Sequence, residues 1–376
     1  MKRIHILLLA ILISAGVAHG QTTEPQSVAS LTDPSSLRDL LDDPAVTTKI
    51  LEKVLGNSGE GWRLLKGLQL TPVMLSPADG KAVLGLKYEL KQALNNVNLS
   101  PSDGSATRGL SYAFDASGTL VPKEEDNPEN LLDTSLSYHF FDSRGGVLEK
   151  LGGERFNEIS KMLADIEDEA VLDQVWRKVQ GEILGKLSTQ RVVDVSAHAS
   201  LESGQSGEQH QTLFGGQLAL DIKPWNPNSA FARANVFDHP FALIRMLTGY
   251  DDSFQPRGST FPTFLVALDR VNPGADHPRA AAGDTSSFSR VRFEASMRTP
   301  IAAAGDTRYF VDLNYRWYNE LGASQSVRRA HLQANRYYTA AITTSKGAFA
   351  SYAHGRLPFG VENDSTYQLG WHFNFD

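Results

Sequence analysis

When apolar side chains fall on every second position, the segment is extended, and one of its faces must leave water. Residues 367–375 show this pattern most plainly. Tyr367, Leu369, Trp371, Phe373 and Phe375 share one face, and Gln368, Gly370, His372 and Asn374 share the other. The apolar face is aromatic almost throughout, which is more than a solvated strand carries.

The same alternation recurs along the chain. In 81–91, Leu84, Leu86, Tyr88 and Leu90 oppose Lys87, Glu89 and Lys91. In 109–115, Leu110, Tyr112 and Phe114 oppose Ser111, Ala113 and Asp115. In 132–140, Leu136, Tyr138 and Phe140 oppose Asp133, Ser135, Ser137 and His139. In 193–201, Val193 and Val195 oppose Asp194, Ser196, His198 and Ser200, and 214–222 repeats the pattern with Asp221 on the polar side. The 263–271 segment is apolar on both faces, so its orientation is open. Weaker strands are expected at 331–342 and 347–356. Two segments change period. Apolar residues recur every three or four positions over 147–187, which predicts amphipathic helices. Asp238-His239-Pro240 predicts a short helix ending near Gly249, inside a longer interruption over 223–262.

The polar faces decide between two folds. A soluble β-sandwich would turn its apolar faces inward and leave charged faces wet. A transmembrane barrel would turn apolar faces to lipid and charged faces to the lumen. In 290–298, Arg290, Arg292, Glu294, Ser296 and Arg298 oppose Val291, Phe293, Ala295 and Met297; in 309–318, Asp312, Asn314, Arg316 and Tyr318 oppose Tyr309, Val311, Leu313, Tyr315 and Trp317. A mid-membrane arginine facing lipid costs roughly 2–4 kcal/mol, so in a barrel these arginines must face the lumen. Tyr88, Tyr112, Tyr138, Tyr309, Trp317 and Trp371 then suit aromatic girdles. The aromatic faces favour the barrel.

The closing segment 367–375 resembles the last strand of Gram-negative outer-membrane β-barrels, which ends in an aromatic residue at or next to the C-terminus; here Asp376 trails it. The resemblance implies a mainly β fold, an antiparallel transmembrane β-barrel with amphipathic helical insertions, porin-like in architecture, and an outer-membrane address with lipid as a partner. Clear strands from Lys81 onward number about eleven. Since such barrels use even numbers, 62–73 is expected to supply a poor first strand, interrupted by Pro72, for a total of about twelve. That parity puts the turns at 299–307 and 343–347, with the insertions 147–187 and 223–262, on the periplasmic side. The 223–262 segment either stays at that side or plugs the lumen from it.

Composition narrows the address. Lys2 and Arg3, the apolar 6–13 run and Ala18-His19-Gly20 read as a signal peptide over 1–20. A periplasmic helical segment is expected within 21–60, and the barrel over 61–376. No run approaches the ~20 apolar residues of a spanning helix. The chain has no cysteine, which excludes disulfides, thiolate metal sites and a lipoprotein anchor. Net charge is −7 with no Lys/Arg run, so nucleic acid is not an expected partner.

The candidate site is the charged lumen wall: Arg290, Arg292, Glu294, Arg298, Asp312, Asn314 and Arg316 on one side, with Asp133, His139, Asp194, His198 and Asp221 on earlier strands. Opposed basic and acidic walls set up a transverse field that would order small polar or anionic solutes in a channel or uptake pore. The competing arrangement is a filled barrel whose salt-bridge network conducts nothing. An outer-membrane lipid hydrolase is the enzyme alternative, since His139 and His198 each have a serine two residues away on the same face (Ser137; Ser196 and Ser200). At ~7 Å along a strand, such a pair is expected to need a bridging water. The characteristic His-x-Ser-Asn run of the outer-membrane phospholipases is not present: 197–200 reads Ala-His-Ala-Ser, followed by Leu201. The 147–187 insertion is open as a gate, a plug or a docking surface for a periplasmic protein, or simply as a hairpin packed on itself or the rim, and a non-conducting anchor is a further alternative. No metal, nucleotide or cofactor motif is present.

Overall fold

Every alternating segment named above that lies among the described residues becomes a strand of one closed antiparallel sheet in the computed structural model. The structure describes residues 68–78, 80–101, 106–145, 188–360 and 363–374. Residues Gln69–Asn374 form one unit, and of the other unit (1–68 with 375–376) only Leu68 is described. The expected signal peptide, the helical segment within 21–60 and the 147–187 helices lie outside the described residues.

The strands are β1 (Leu68–Pro77), β2 (Val83–Asn98), β3 (Thr107–Leu120), β4 (Leu132–Arg144), β5 (Gln190–Ser203), β6 (His210–Lys223), β7 (Thr263–Pro273), β8 (Phe288–Ala304), β9 (Thr307–Leu321), β10 (Ala334–Thr344), β11 (Ala348–Gly355) and β12 (Asp364–Trp371). A two-residue β13 (Phe373–Asn374) continues β12. Each strand pairs with the next in sequence, and β12 and β13 both pair with β1, which closes a twelve-strand barrel. Most strands run 10 residues or more, long enough for a tilted membrane crossing. No described helix is long and apolar enough to cross a membrane.

The first strand is described from Leu68 and runs past its expected end at residue 73 to Pro77. Pro72 lies inside it and lacks an N–H. The pairing lapses between Val73↔Gly370 and Leu70↔Phe373, so His372, where β12 gives way to β13, sits in the same gap. His372 bonds Thr71 Oγ1 through Nδ1 at 3.0 Å.

Both barrel ends lie at one rim, the terminal rim. The turn at Gly305-Asp306 and the one at Ser345–Gly347 lie there too, with the long 224–262 segment. Gly305 adopts φ 57°, which a glycine reaches without strain. At the far rim are the connections 121–131, 204–209, 274–287 and 322–333. Among the described residues there are four short α-helices: α1 (Ala230–Arg233), α2 (His239–Leu247), α3 (Pro278–Ala281) and α4 (Gln325–Arg329).

The faces follow the alternation. Leu136, Val195, Phe214, Leu218, Leu268, Ile342, Tyr367 and Leu369 are exposed apolar side chains of the outer wall. Aromatic pairs line that wall, including Tyr112–Tyr138 at 4.7 Å and Tyr352–Tyr367 at 5.2 Å between centroids. β7 resolves its ambiguity: Ala267, Asp269 and Val271 are buried on the inner face, while Val266 and Leu268 are exposed outside. The 224–262 segment does not plug the lumen. Thr299, on the outward face of β8 with Met297 and Phe293, is fully buried beneath it. A plug needs lumen-facing partners, and here the partners stand on the outer wall.

Candidate functional site

All the charged and histidine candidates from the alternation stand on the inner face, and the closed sheet brings distant strands together there. Arg290 on β8 is 4 % exposed. Its Nη1 and Nη2 donate to the two Glu202 carboxylate oxygens on β5 at 3.1 and 2.9 Å. Its Nη2 also donates to Asp269 Oδ2 on β7 at 3.1 Å, and the guanidinium lies 5.0 Å over the Tyr318 ring of β9. One arginine therefore joins β5, β7, β8 and β9. His198 Nε2 lies 3.1 Å from Asp269 Oδ1. The side chain reaches across β6 because Gly215 stands between them: a Cβ there would come within 2.5 Å of Asp269 Oδ1.

The opposite arc is held by a residue absent from the sequence-based candidates. Glu129 belongs to the 121–131 connection, which folds into the lumen. Its Oε1 accepts from Tyr337 Oη (2.7 Å) on β10 and Gln368 Nε2 (2.6 Å) on β12. Its Oε2 accepts from Thr119 Oγ1 (3.0 Å) on β3 and pairs with Lys87 Nζ (2.8 Å) on β2. Burial opposes its charge, but Lys87 and these hydrogen bonds outweigh it and hold the carboxyl at about 2. Val121 of the same connection packs on Val73 and Leu75 of β1. No alternation marks such a residue, because it lies in a polar loop. An acidic residue in a Pro/Asn-rich connection carries no sequence sign that it will turn inward.

The far rim adds a second layer. His277 donates from Nε2 to Gln211 Oε1 at 3.0 Å and accepts the Arg279 N–H at Nδ1 at 3.1 Å, capping α3. Gln211 donates to Glu202, and Arg279 pairs with Glu320 and with Asp284. Burial first, and the Arg279 charge next, push the His277 imidazole down to about 4.

Between these two staples lies a layer of charge that is incompletely bonded within the protein. Arg292 Nη2 donates to Gln217 Oε1 at 3.1 Å, and Arg292 and Arg316 lie 3.6 and 3.8 Å from the Glu294 carboxylate. Asp133 stands within electrostatic reach of both arginines from β4. Asp133 Oδ1, Ser196 Oγ, His198 Nδ1, Arg292 Nε and Arg316 Nε are buried without a hydrogen-bond partner. Buried polar atoms of this kind normally bond to water or a ligand.

Toward the terminal rim the lumen widens into a cavity of ≈ 360 Å³ whose lining includes Lys223, Ser296, Arg298, Asp312, Asn314 and Thr339. Arg298 lies 3.5 Å from Asp312, which accepts from Thr343 Oγ1 at 2.6 Å.

His139 has a different setting. Its Nε2 lies 2.7 Å from Ser137 Oγ, and its Nδ1 lies 2.9 Å from Asp194 Oδ1. This overturns the expectation that a bridging water is needed. The ring leans back along its strand to reach Ser137, and Asp194 sits diagonally across the β4–β5 pairing, one step from Ser196, which faces His139 directly. His198 has no such serine partner.

No protein-family model matches the chain, and no curated protein sequence matches it. Among solved structures, it is similar to a KdgM porin in complex with disordered oligogalacturonate (6 % identity, 82 % of this chain and 99 % of that one, TM-score 0.27). It is also similar to the beta domain of the Bordetella autotransporter BrkA (10 % identity, 82 % and 99 %, TM-score 0.28). A BenF-like porin from Pseudomonas fluorescens Pf-5 gives 7 % identity, 81 % and 97 % coverage and a TM-score of 0.28. These superpositions are loose, and the barrel assignment rests on the sheet's own closure and its two faces.

Proposed function

We propose that the chain is a channel of a Gram-negative outer membrane that passes small polar solutes, anions among them, along its charged lumen. The observation carrying this reading is the middle layer. There Arg292 and Arg316 of β8 and β9 stand against Asp133 of β4, with several buried polar atoms that make no hydrogen bond within the protein, although both arginine Nε atoms lie within ion-pair distance of Glu294. A layer built only to fill the barrel would close those bonds internally, since each open one costs about 1–3 kcal/mol. The staples at Arg290 and Glu129 narrow the passage, and the cavity at Arg298 and Asp312 is its vestibule. Both barrel ends face the periplasm in this orientation.

The test is ion selectivity in planar bilayers. Replacing Arg292 and Arg316 together by Ala removes the basic wall and leaves Glu294 and Asp133, so anion preference should fall. Unchanged selectivity in the double variant, or a wild-type barrel that never conducts, sinks the proposal.

A second reading has its own observation, the Ser137–His139–Asp194 geometry. In a hydrolase of this arrangement, Ser137 Oγ attacks the ester carbonyl carbon while His139 takes the serine proton at Nε2 and Asp194 holds the imidazole at Nδ1; the ester C–O bond then breaks and the alcohol leaves with that proton, and a water deprotonated by His139 hydrolyses the acyl-serine to release the acid and restore Ser137. The three groups face the lumen, so a substrate would be a soluble ester and not a membrane lipid. Hydrolysis of a chromogenic acetate ester by the folded barrel, abolished by Ser137→Ala, would support it. No hydrolysis by the wild type removes it.

A further inference from the structure

The 224–262 segment carries a helix whose faces are reversed for a surface exposed to water. α2 turns Ala242 and Arg245 inward, both fully buried. It turns Leu243, Ile244, Met246 and Leu247 outward, with Leu247 74 % exposed. Phe231 and Phe237 nearby are also half exposed. A soluble protein seldom gathers so many apolar side chains in one exposed patch.

The reversal is built, not incidental. Arg245 donates from Nε to Asp251 Oδ2 (2.7 Å), and from Nη1 and Nη2 to the Asp238 carboxylate (3.1 and 2.6 Å). It donates further to Thr299 Oγ1 (3.0 Å), Pro300 O (3.2 Å) and Gln255 O (3.0 Å). Asp238, also fully buried, accepts from Thr299 Oγ1 and the Arg257 N–H as well. Thr299 and Pro300 belong to β8, so this knot clamps the segment to the barrel wall. Thr248 Oγ1 adds a bond to Ile301 O at 2.9 Å. Gly258 lets the segment fold tightly, since a Cβ there would sit 2.1 Å from Pro224 O.

The patch is continuous with the barrel's outer wall. Phe231 and Phe237 contact Phe261 (6.3 and 5.9 Å between centroids). Phe261 contacts Phe264, Phe264 contacts Phe293, and Phe293 contacts Tyr315, each at 6.2–6.4 Å. The last three stand on the outward faces of β7, β8 and β9, the faces that meet lipid in a membrane barrel.

We propose that the 224–262 segment is an interfacial arm that inserts the outer face of α2 into the phospholipid leaflet at the terminal rim, where it anchors the barrel to lipid. Arms of this kind bury apolar side chains at the boundary between headgroups and acyl chains. The polar knot faces the barrel, and the apolar face is left for acyl chains. Lipid is the occupant because the aromatic chain from Phe231 to Tyr315 runs without a break into the lipid-facing wall.

The absence of native cysteine allows a direct test by single-site spin labelling in phosphatidylcholine vesicles. Labels would be placed by Leu247→Cys and Leu243→Cys on the arm. Leu218→Cys on the mid-barrel outer wall serves as the lipid reference, and Lys81→Cys at the far rim as the water reference. The expected result is oxygen collision exceeding nickel-chelate collision at 247 and 243, as at 218 and opposite to 81. Arm labels that match the Lys81 site place the helix in water and overturn the proposal. Immobilised arm labels reached by neither agent mean a second copy or another protein covers the face, which also overturns it. If the Leu218 label itself reads as water, there is no lipid belt for the arm to join, and the inference falls with it. Selectivity measurements are independent of these labels, so failure of the channel reading remains distinguishable.

Discussion

Arg290 and Arg298 stand on one strand and one face, yet they sit in opposite surroundings. Arg290 is 4 % exposed and holds two carboxylates from β5 and β7. Arg298 has a side chain 55 % exposed, and its nearest carboxylate oxygen, on Asp312, is 3.5 Å away. The face of the strand does not distinguish them; the loops do. At the far half, 121–131 and 274–287 fold over or into the lumen and exclude solvent. At the terminal half, the long connection 224–262 folds outward onto the wall, and no described connection covers the lumen. The far half is therefore where burial makes charge pairing costly to break, and the terminal half is where the described charge stays exposed.

The largest effect is expected at the far half. Arg290→Ala leaves Glu202 and Asp269 buried without their cation, which costs on the order of 3–5 kcal/mol. Heat-modifiability on gels and urea unfolding should both show a marked loss of barrel stability. A stable Arg290→Ala barrel would mean that the far half is wetter than its burial implies.

Next comes Glu129→Ala. Removing the carboxylate releases Lys87, Tyr337 and Gln368 and should raise single-channel conductance. Acid should mimic it only late. The folded carboxyl is held at about 2, below its usual 4.5. The contribution of the clamp is fully present above the unfolded value and is lost as pH falls through about 2. Conductance that rises already near pH 5 would assign the narrowing to another group.

A smaller effect is expected at His277. The folded imidazole is pushed down to about 4 from its usual 6.5, so protonation opposes the folded loop. Stability from this site is complete above 6.5 and is lost as pH falls from there through about 4. A proton on Nδ1 would also displace the Arg279 N–H it accepts. Hydrogen exchange of 274–287 should quicken over that window in the wild type, and His277→Gln should flatten the dependence.

The smallest effect is Arg298→Ala. An exposed pair contributes under about 1 kcal/mol, so stability should hardly change, while the asymmetry of the current–voltage curve should shift. A large stability loss there would erase the contrast between the two halves.

Much of this architecture is legible in the residue pattern. The two-residue period of 290–298, 309–318 and 367–371 assigns each side chain to a face before any partner is known. The cost of an arginine in lipid then orients those faces. The count of twelve follows from parity, although the first strand is poorly marked because Pro72 breaks its pattern. The site is only half legible. Arg290, Asp133 and His198 are found by face, but Glu129 is not, since loops have no period. Nor does the alternation foresee that Ser137, His139 and Asp194 would meet, because a diagonal contact depends on the β4–β5 register.

By itself the sequence determined the period, the two faces and the charge on each, because alternation is a local property of an extended chain. Only the tertiary structure decided which charges meet. Curling the sheet brings β5 within reach of β8 over the two strands between them, and loop packing selects which half is dry. The same holds on the outside, where the apolar face of α2 turns away from the barrel because a buried arginine, not a leucine, found its partners on β8.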